Sequence, residues 1–576
     1  MAHPRTCCHA GLSGRSQAAI IVALVSFAAP PAWAQAGFGA LPATGANIRT
    51  ENLRSELQQY MPNLDRTISP RWLIVPSLGV TAAATDNAGQ TQQKSGDIYT
   101  IISPSISVIG DTRRLRINLN YAPQAYIFAS QTNQTRLDHY LTSDALVTIA
   151  PDSVFLDLRG QISQLSRYGG FGQTDSQILS RQNQVQSITY GASPYATHTF
   201  GGWGTARISY DYLRTIQDGS GTSNNQLLVN NQQAVTVDAF GQLAPAFGSN
   251  GNLTTHTETA SFTTGENFGR YNDTITVQAV QYSGGGSYAG AYRNSVDNQF
   301  GYAVTRWLTV LAGIGYQDIQ YGGTPVMRIN EPTWSIGAQL TPNPDSSLTF
   351  LYGRHDGLTS FSFDGVYTPT ARTRVFGRYS TGLTSTLQDQ QALVQTSTVN
   401  ANGLLVDSRT GAPVGSGTSF LGTQNGVFQT RRFSISALLL LDRDSFTATV
   451  STENRSQVTN GTNFNNTVVV PAGTTSNGTT GSLAWQHDFR PDLNGVASVQ
   501  YGVLNTSGLL GASSGQSQRS LSLSAGLVKQ FSTTVSGNVT YLYNDRSGAQ
   551  GAVVSSGFPT ANTSQNTLFV GLRKSF

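Results

Sequence analysis

The chain ends in a two-residue alternation. Counting back, Phe576, Leu572, Val570 and Leu568 fall on one side of an extended segment. Ser575, Arg573, Gly571 and Thr567 fall on the other, with Phe569 the one large exception. Successive side chains of a β-strand point to opposite faces, so this segment has a greasy face and a mostly polar one. The same period runs from Arg71 to the end of the chain. Such a chain must fold into sheet whose two faces meet different surroundings throughout.

Composition says which surroundings. Only 11% of the residues are charged, against about 25% in a typical soluble domain. There are 60 glycines, and mean hydropathy is slightly negative at −0.20. After the first 36 residues no apolar run approaches the ~18 residues of a membrane helix. A transmembrane β-barrel reconciles these facts, because only every second residue of each strand faces lipid and the average stays polar. The fold expected is therefore all-β: a transmembrane antiparallel up-and-down barrel. Past residue 36 the chain carries 33 basic and 31 acidic residues. That balance gives no basic patch for nucleic acid, and none is expected as a partner.

Three segments are expected. Residues 1–36 read as a secretory signal peptide. Arg5 and Arg15 precede an apolar core, Ala18–Ala29, and small residues frame a cleavage site at Ala32-Trp33-Ala34 or Ala34-Gln35-Ala36. Both cysteines, Cys7 and Cys8, lie in this leader, ahead of its apolar core, so neither can serve as a lipoprotein anchor and the mature chain is thiol-free. Residues 37–70 read as a short periplasmic lead-in. Glu51 to Tyr60 could form a helix there that stops at Met61-Pro62, and the stretch is too short for a folded plug domain. Residues 71–576 are the barrel.

Within the barrel, short turns are expected near Asp111, Asp152, Gly202, Gly269, Trp307, Pro344, Ala371, Arg443, Pro491 and Ser532. Longer polar loops lie between them, including Asp218 to Asn252, Thr384 to Val427, Ser456 to Asn477 and Ser547 to Thr563. Short periplasmic turns opposite longer extracellular loops are the asymmetry of outer-membrane barrels. Ten such turns with an opening and a closing strand give about 22 strands, within a range of 18–24, and leave both ends on the periplasmic side. A loose repeat runs through Val304 to Tyr316, His487 to Tyr501 and Lys529 to Tyr541: an aromatic at the turn, an alternating strand, then a tyrosine. Trp203, Phe268, Trp307, Phe489 and Phe531 are expected in the periplasmic aromatic girdle. Tyr121, Tyr212, Tyr282, Tyr316, Tyr501 and Tyr541 are expected at or towards the outer one. A soluble β-sandwich array or solenoid would also alternate, but explains neither the leader nor the turn–loop asymmetry.

A closing strand ending on an aromatic resembles the C-terminal signature of Gram-negative outer-membrane barrels. That likeness implies recognition of Phe576 by the barrel-assembly machinery. The first hairpins carry a narrower resemblance. Val75-Pro76-Ser77-Leu78-Gly79-Val80, Thr85-Asp86-Asn87, Ser103-Pro104-Ser105-Ile106-Ser107-Val108 and Arg114 to Tyr121 are similar to the β-barrel porin type 2 family. The similarity is specific over roughly residues 71–160. It implies an outer-membrane location in a Gram-negative bacterium, contact with outer-membrane lipid, and an association with exopolysaccharide production. It brings no catalytic residues. Lys574 departs from the usual apolar residue at its place in such C-termini, and a lysine near the interface can snorkel.

Little else points to chemistry. Gly511-Ala512-Ser513-Ser514-Gly515 matches a nucleophile elbow in letters, but it precedes a strand instead of a helix. The histidines His139, His198, His256, His355 and His487 stand singly, and Asp442-Arg443-Asp444 reads as a charged hairpin turn. No enzyme, cofactor or metal is expected. The arginines carry more. There are three lysines (Lys94, Lys529 and Lys574), so nearly every cation is arginine. Arg116, Arg159, Arg207, Arg374 and Arg378, with Asp157 and Asp211, fall on polar strand faces as candidate lumen charges. They either tune which solutes pass or pair with one another to stiffen the wall.

The reading is a passive porin or export channel, with polysaccharide or small polar solutes as its cargo and the loops from Asp218 and Thr384 folding inward. The alternative is a surface pedestal whose long loops bind a partner without conduction. Deleting Phe576 is expected to lower outer-membrane assembly, measured as the heat-modifiable band in membrane fractions. Unchanged levels would show that the terminus is not read.

Overall fold

The computed structural model describes residues 72–166, 181, 184–218, 226–229, 233–237, 243–244, 251–323, 326–399, 405–408, 421–423, 426–459, 461–462, 469–470, 473, 475–507, 516–548 and 562–576. The leader, the 37–70 lead-in and the Gly511–Gly515 motif lie outside the described residues. One antiparallel sheet of 24 segments holds most of the rest. Two of its strands are interrupted, so the segments make 22 strands.

The first eight are β1 (Trp72–Thr85), β2 (Asp97–Asp111), β3 (Leu115–Tyr121 and Gln124–Phe128), β4 (Arg136–Asp138 and Leu141–Ala150), β5 (Val154–Ser166), β6 (Gln184–Thr199), β7 (Gly204–Asp218) and β8 (Gly251–Thr264). They are followed by β9 (Tyr271–Gly284), β10 (Tyr292–Ala303), β11 (Leu308–Tyr321), β12 (Met327–Leu340), β13 (Ser347–His355), β14 (Leu358–Thr370) and β15 (Thr373–Thr384). The last seven are β16 (Phe428–Leu440), β17 (Asp444–Gln457), β18 (Thr475–Arg490), β19 (Leu493–Ser507), β20 (Gln516–Gln530), β21 (Val535–Gly548) and β22 (Thr563–Ser575). Each strand pairs with the next, and β22 pairs with β1 from Ser77↔Ser575 to Thr85↔Thr567. The sheet is therefore closed, and no strand presents an unpaired edge to lipid.

All ten short turns fall where the sequence places them, from residues 112–114 between β2 and β3 to residues 531–534 between β20 and β21. The other end is less uniform than expected. Besides long loops it holds a two-residue turn between β13 and β14, where Asp356 (φ 52°) and Gly357 (φ 76°) form the Asp-Gly pair that a tight hairpin favours. Asp442-Arg443-Asp444 sits at a short turn, where Asp442 meets Arg372 at 2.8 Å and Asp444 meets His487 at 2.8 Å.

Alternation assigns the faces. Along β1, Trp72, Ile74, Leu78 and Val80 are exposed, while Val75, Ser77, Thr81 and Ala83 are buried. Leu568, Val570, Leu572 and Phe576 continue the apolar outer face across the seam, Phe576 being 67% exposed. Its backbone N–H donates to Pro76 O at 3.0 Å, and Lys574 lies 5.1 Å over its ring. Turn-side aromatics Trp203, Trp307, Phe489 and Phe531 are exposed, as a girdle requires. Tyr282 corrects the expected outer girdle. It pairs with the inward Thr255, so it points into the barrel and stacks on Tyr321 at 5.8 Å.

Phe569 faces the interior and is buried in a cluster with Ala83, Ala88, Tyr99, Ile101, Tyr126, Phe128 and Leu542. Its ring meets Tyr99 edge-on at 6.4 Å. The interior beside the seam is thus packed, which explains the one exception in the terminal alternation. Above the cluster, Asp86 accepts from Asn566 N–H and from Lys94, each at 2.7 Å. Partial burial opposes its charge, but the bonds from Lys94 and Asn566 outweigh it and hold the Asp86 carboxyl below its ordinary range. This stabilisation of the seam is present above the ordinary carboxylate pKa and is lost as pH falls through the lowered one. Phe569→Ala should lower the temperature at which the folded gel band converts to the unfolded one. The expected cost is about 3 kcal/mol or more, typical of a large-to-small change in a packed site; an unchanged transition would mean that the cluster does not hold the seam.

Candidate functional site

Eleven residues of the loop after β15 form the helix α1 (Thr386–Thr396), and this helix lies inside the barrel. A helix this short is marginal by itself. Its residues suit a helix, with Leu, Gln and Ala and no Gly or Pro, and Ser385 caps it by accepting from Gln388 N–H at 3.2 Å. The rest of its stability comes from the wall.

Both ends are latched by opposite charge. At the N-terminus, Asp389 in the first turn takes both guanidinium arms of Arg432, an inward residue of β16. Arg432 also donates to Glu453 of β17 at 2.9 Å, and Arg455 donates to the same carboxylate oxygen at 2.9 Å. All four side chains are buried, so each charge depends on the others. At the C-terminus no basic residue occupies the last turn. Arg159 of β5 supplies the cation, with Nη1 donating to the carbonyls of Val394 (3.2 Å), Gln395 (2.5 Å) and Ser397 (3.2 Å). These carbonyls have no partner further along the helix and carry its negative end. Asp157 orients Arg159, accepting from Nη2 at 2.8 Å and Nε at 3.0 Å.

The sides of α1 are held as well. Gln391 accepts from Thr255 Oγ1 at 2.6 Å and donates to Leu253 O at 3.1 Å. Gln388 donates to the Tyr321 hydroxyl at 3.1 Å, and Tyr288 bonds Ser385. Burial keeps the Tyr288 phenol protonated well above its ordinary range, so it stays a neutral partner. Leu387 packs with Leu253, Tyr288, Ile319, Tyr321, Leu383 and Val427. β5 and β16 are eleven strands apart in a ring of twenty-two, so the two charged latches lie on opposite arcs of the wall.

Beside the C-terminal latch is a notch of about 130 Å³ lined by Asp157, Arg159, Ser193, Arg207, Asp211 and Gln395, with Gly191 and Leu213. Arg207 also lies 4.2 Å over the Tyr195 ring. The volume holds a handful of waters, not a drug-sized ligand. It is a mixed-charge step in the wall.

Four of the seven charges expected in the lumen therefore meet at one place: Asp157, Arg159, Arg207 and Asp211. Arg378 is elsewhere. It lies 3.7 Å from Asp364 and 4.0 Å from Asp407, whose short strand Leu405–Asp407 follows α1 in the same loop, so it is a further tie on that loop. Arg116 and Arg374 are exposed near the short-turn mouth, away from α1. The expectation placed the loop from Thr384 inward, and α1 is its inward part. The loop from Asp218 holds three short strands, Gln226–Val229, Gln233–Val237 and Leu243–Ala244, paired with one another.

Sequence reasoning missed α1 and the buried set Asp389, Arg432, Glu453 and Arg455. A signal was present: Ser385-Thr-Leu-Gln388 has the spacing of a capping box. Arg159→Ala should free the C-terminal end of α1, with amide exchange over residues 390–397 rising roughly 10- to 100-fold, as expected for losing charge-assisted hydrogen bonds of about 1.5–3 kcal/mol. Unchanged exchange would show that the arginine does not hold the helix.

No family model and no curated protein matches the sequence. Among solved structures, the chain is similar to the ferric-catecholate import receptor Fiu of E. coli K12, at 9% identity over 86% of this chain and 81% of that one, with a TM-score of 0.44. It is also similar to the ferric enterobactin receptor PfeA of Pseudomonas aeruginosa (11% identity, 87% and 80% covered, TM-score 0.39). A third likeness is to the outer membrane protein opdK of the same organism (9%, 88% and 99% covered, TM-score 0.34). At this level of similarity nothing about the function of this chain follows. The closed 22-strand barrel with its apolar outer belt points by itself to the outer membrane of a Gram-negative bacterium.

Proposed function

We propose that this protein is a passive channel for small polar solutes, narrowed by α1. The observation that carries the reading is the double latch, Asp389–Arg432 at one end of the helix and Arg159 at the other, holding α1 inside a polar lumen. A 22-strand barrel is wide, and α1 reduces the path to the space between itself and the polar wall. Solutes there would pass hydroxyls, amides and a mixed set of charges. With both signs in one notch, discrimination would rest on size and polarity more than on net charge.

The link to exopolysaccharide export rests on the resemblance of residues 71–160 alone. No observation at the constriction favours a polymer, so the small-solute reading is preferred. The full-length protein in planar bilayers should give discrete currents of weak ion selectivity. Neutral polyethylene glycols small enough to enter should reduce them, and larger ones should not. Absence of current under these conditions would overturn the channel and favour the pedestal.

A further inference from the structure

Two opposite charges face the notch beside the C-terminal latch without pairing with each other. Asp157 and Arg159 are already spent, on one another and on the carbonyl end of α1. Arg207 and Asp211 are not. Both line the notch, and both lie on the inward face of β7 that the buried Ser209, Leu213 and Thr215 mark. Among the described residues neither joins an ion pair, and the Arg207 guanidinium donates no hydrogen bond. Ser193 of β6 serves the Asp211 carboxylate as a hydrogen-bond donor and leaves its other lone pairs open.

Local packing aims the two groups at one space. Arg207 lies 4.2 Å over the Tyr195 ring, and Phe155 stacks on the same tyrosine at 5.0 Å. Tyr195 pairs across the sheet with Ser209. The stack therefore draws the guanidinium along β7 to the level of Ser209, two residues short of Asp211, or about 7 Å at 3.3 Å per residue. A planar cation held on a ring keeps its N–H edge for a ligand and loses little freedom on binding one. On the far side of Asp211, Arg159 pairs with Gly191, and Gly191 with Leu213. The carbonyl end of α1, bound to Arg159, is thus nearer to Asp211 than to Arg207.

We propose that the notch is a binding site for small zwitterions that carry an ammonium and a carboxylate, as an α-amino acid does. The carboxylate takes the free edge of Arg207. The ammonium takes Asp211, on the side where the helix end adds negative potential. Leu213 and the bare Gly191 offer the carbon skeleton an apolar contact, and a volume of about 130 Å³ admits only a small one. A lone anion or cation would satisfy one of the two charges and leave the other unanswered. A zwitterion answers both and leaves the notch neutral. The inference deepens the channel reading, on which it rests for the solute's way in.

The test is saturation-transfer NMR of L-alanine with the full-length protein in detergent micelles. L-alanine should bind, and sodium acetate and ethylammonium chloride, the two halves of its charge, should each bind roughly tenfold more weakly. Arg207→Gln and Asp211→Asn should each weaken L-alanine binding about tenfold, equivalent to about 1.4 kcal/mol. Arg116→Gln, at the short-turn mouth, should leave it unchanged, and heat-modifiable gel mobility confirms that each barrel folds. If a variant does not fold, the comparison of the three solutes on the native protein still decides. No transfer to L-alanine, equal binding of either single ion, or binding unmoved by both substitutions would each overturn the site. The bilayer currents separate this inference from the channel itself. Currents without L-alanine binding would overturn the site and leave the channel, and binding without current would support the site and overturn the channel.

Discussion

Closure of the sheet is the condition on which everything else rests. A backbone group exposed to hydrocarbon without a partner costs several kcal/mol, so a sheet can cross a membrane only if its first and last strands pair. Here β1 and β22 do so along a run of nine residue pairs. Inward from that seam Phe569, Tyr99, Tyr126 and Phe128 pack together, and outward Leu568, Val570 and Leu572 face lipid. One strand thus meets two demands with alternate residues, which is why its pattern is visible in the bare chain.

Much of the wall was legible because its period is two and its turns are short. Each strand repeats the same constraint, and a wrong register would turn its apolar side inward. The exceptions have physical causes. Tyr282 reads like a girdle tyrosine from its position near a strand end. It faces inward because Thr255 opposite it does, and parity across a pair cannot be read from one strand. Phe569 breaks the polar side of its strand because that part of the lumen is filled. The arginine faces could be read, and four of the seven charges gather at one notch. Their partner could not be, since α1 comes from a loop hundreds of residues away from Arg159 in the chain. The capping spacing at Ser385 was the local sign of it.

The contents of the lumen follow from electrostatics in a partly dry space. A short helix would not persist there unaided, but its ends offer unpaired backbone groups that charged side chains can satisfy. Arg159 meets the carbonyl end directly. At the other end the link is a carboxylate, Asp389, bound to Arg432 and through it to Glu453 and Arg455. Removing one member of such a buried set costs more than the set contributes as a whole, because a charge is left unpaired. The loop is thereby committed to its seat, and the space left in the lumen becomes a property of α1 as much as of the barrel.

The most direct measurement is single-channel conductance of the full-length protein beside a variant with both latches cut, Arg159→Ala with Asp389→Asn. The account predicts small, steady currents from the native channel. The variant should give larger and noisier ones, with the barrel still folded by its gel mobility. Identical currents from both would contradict it, because α1 would then have no part in setting the passage.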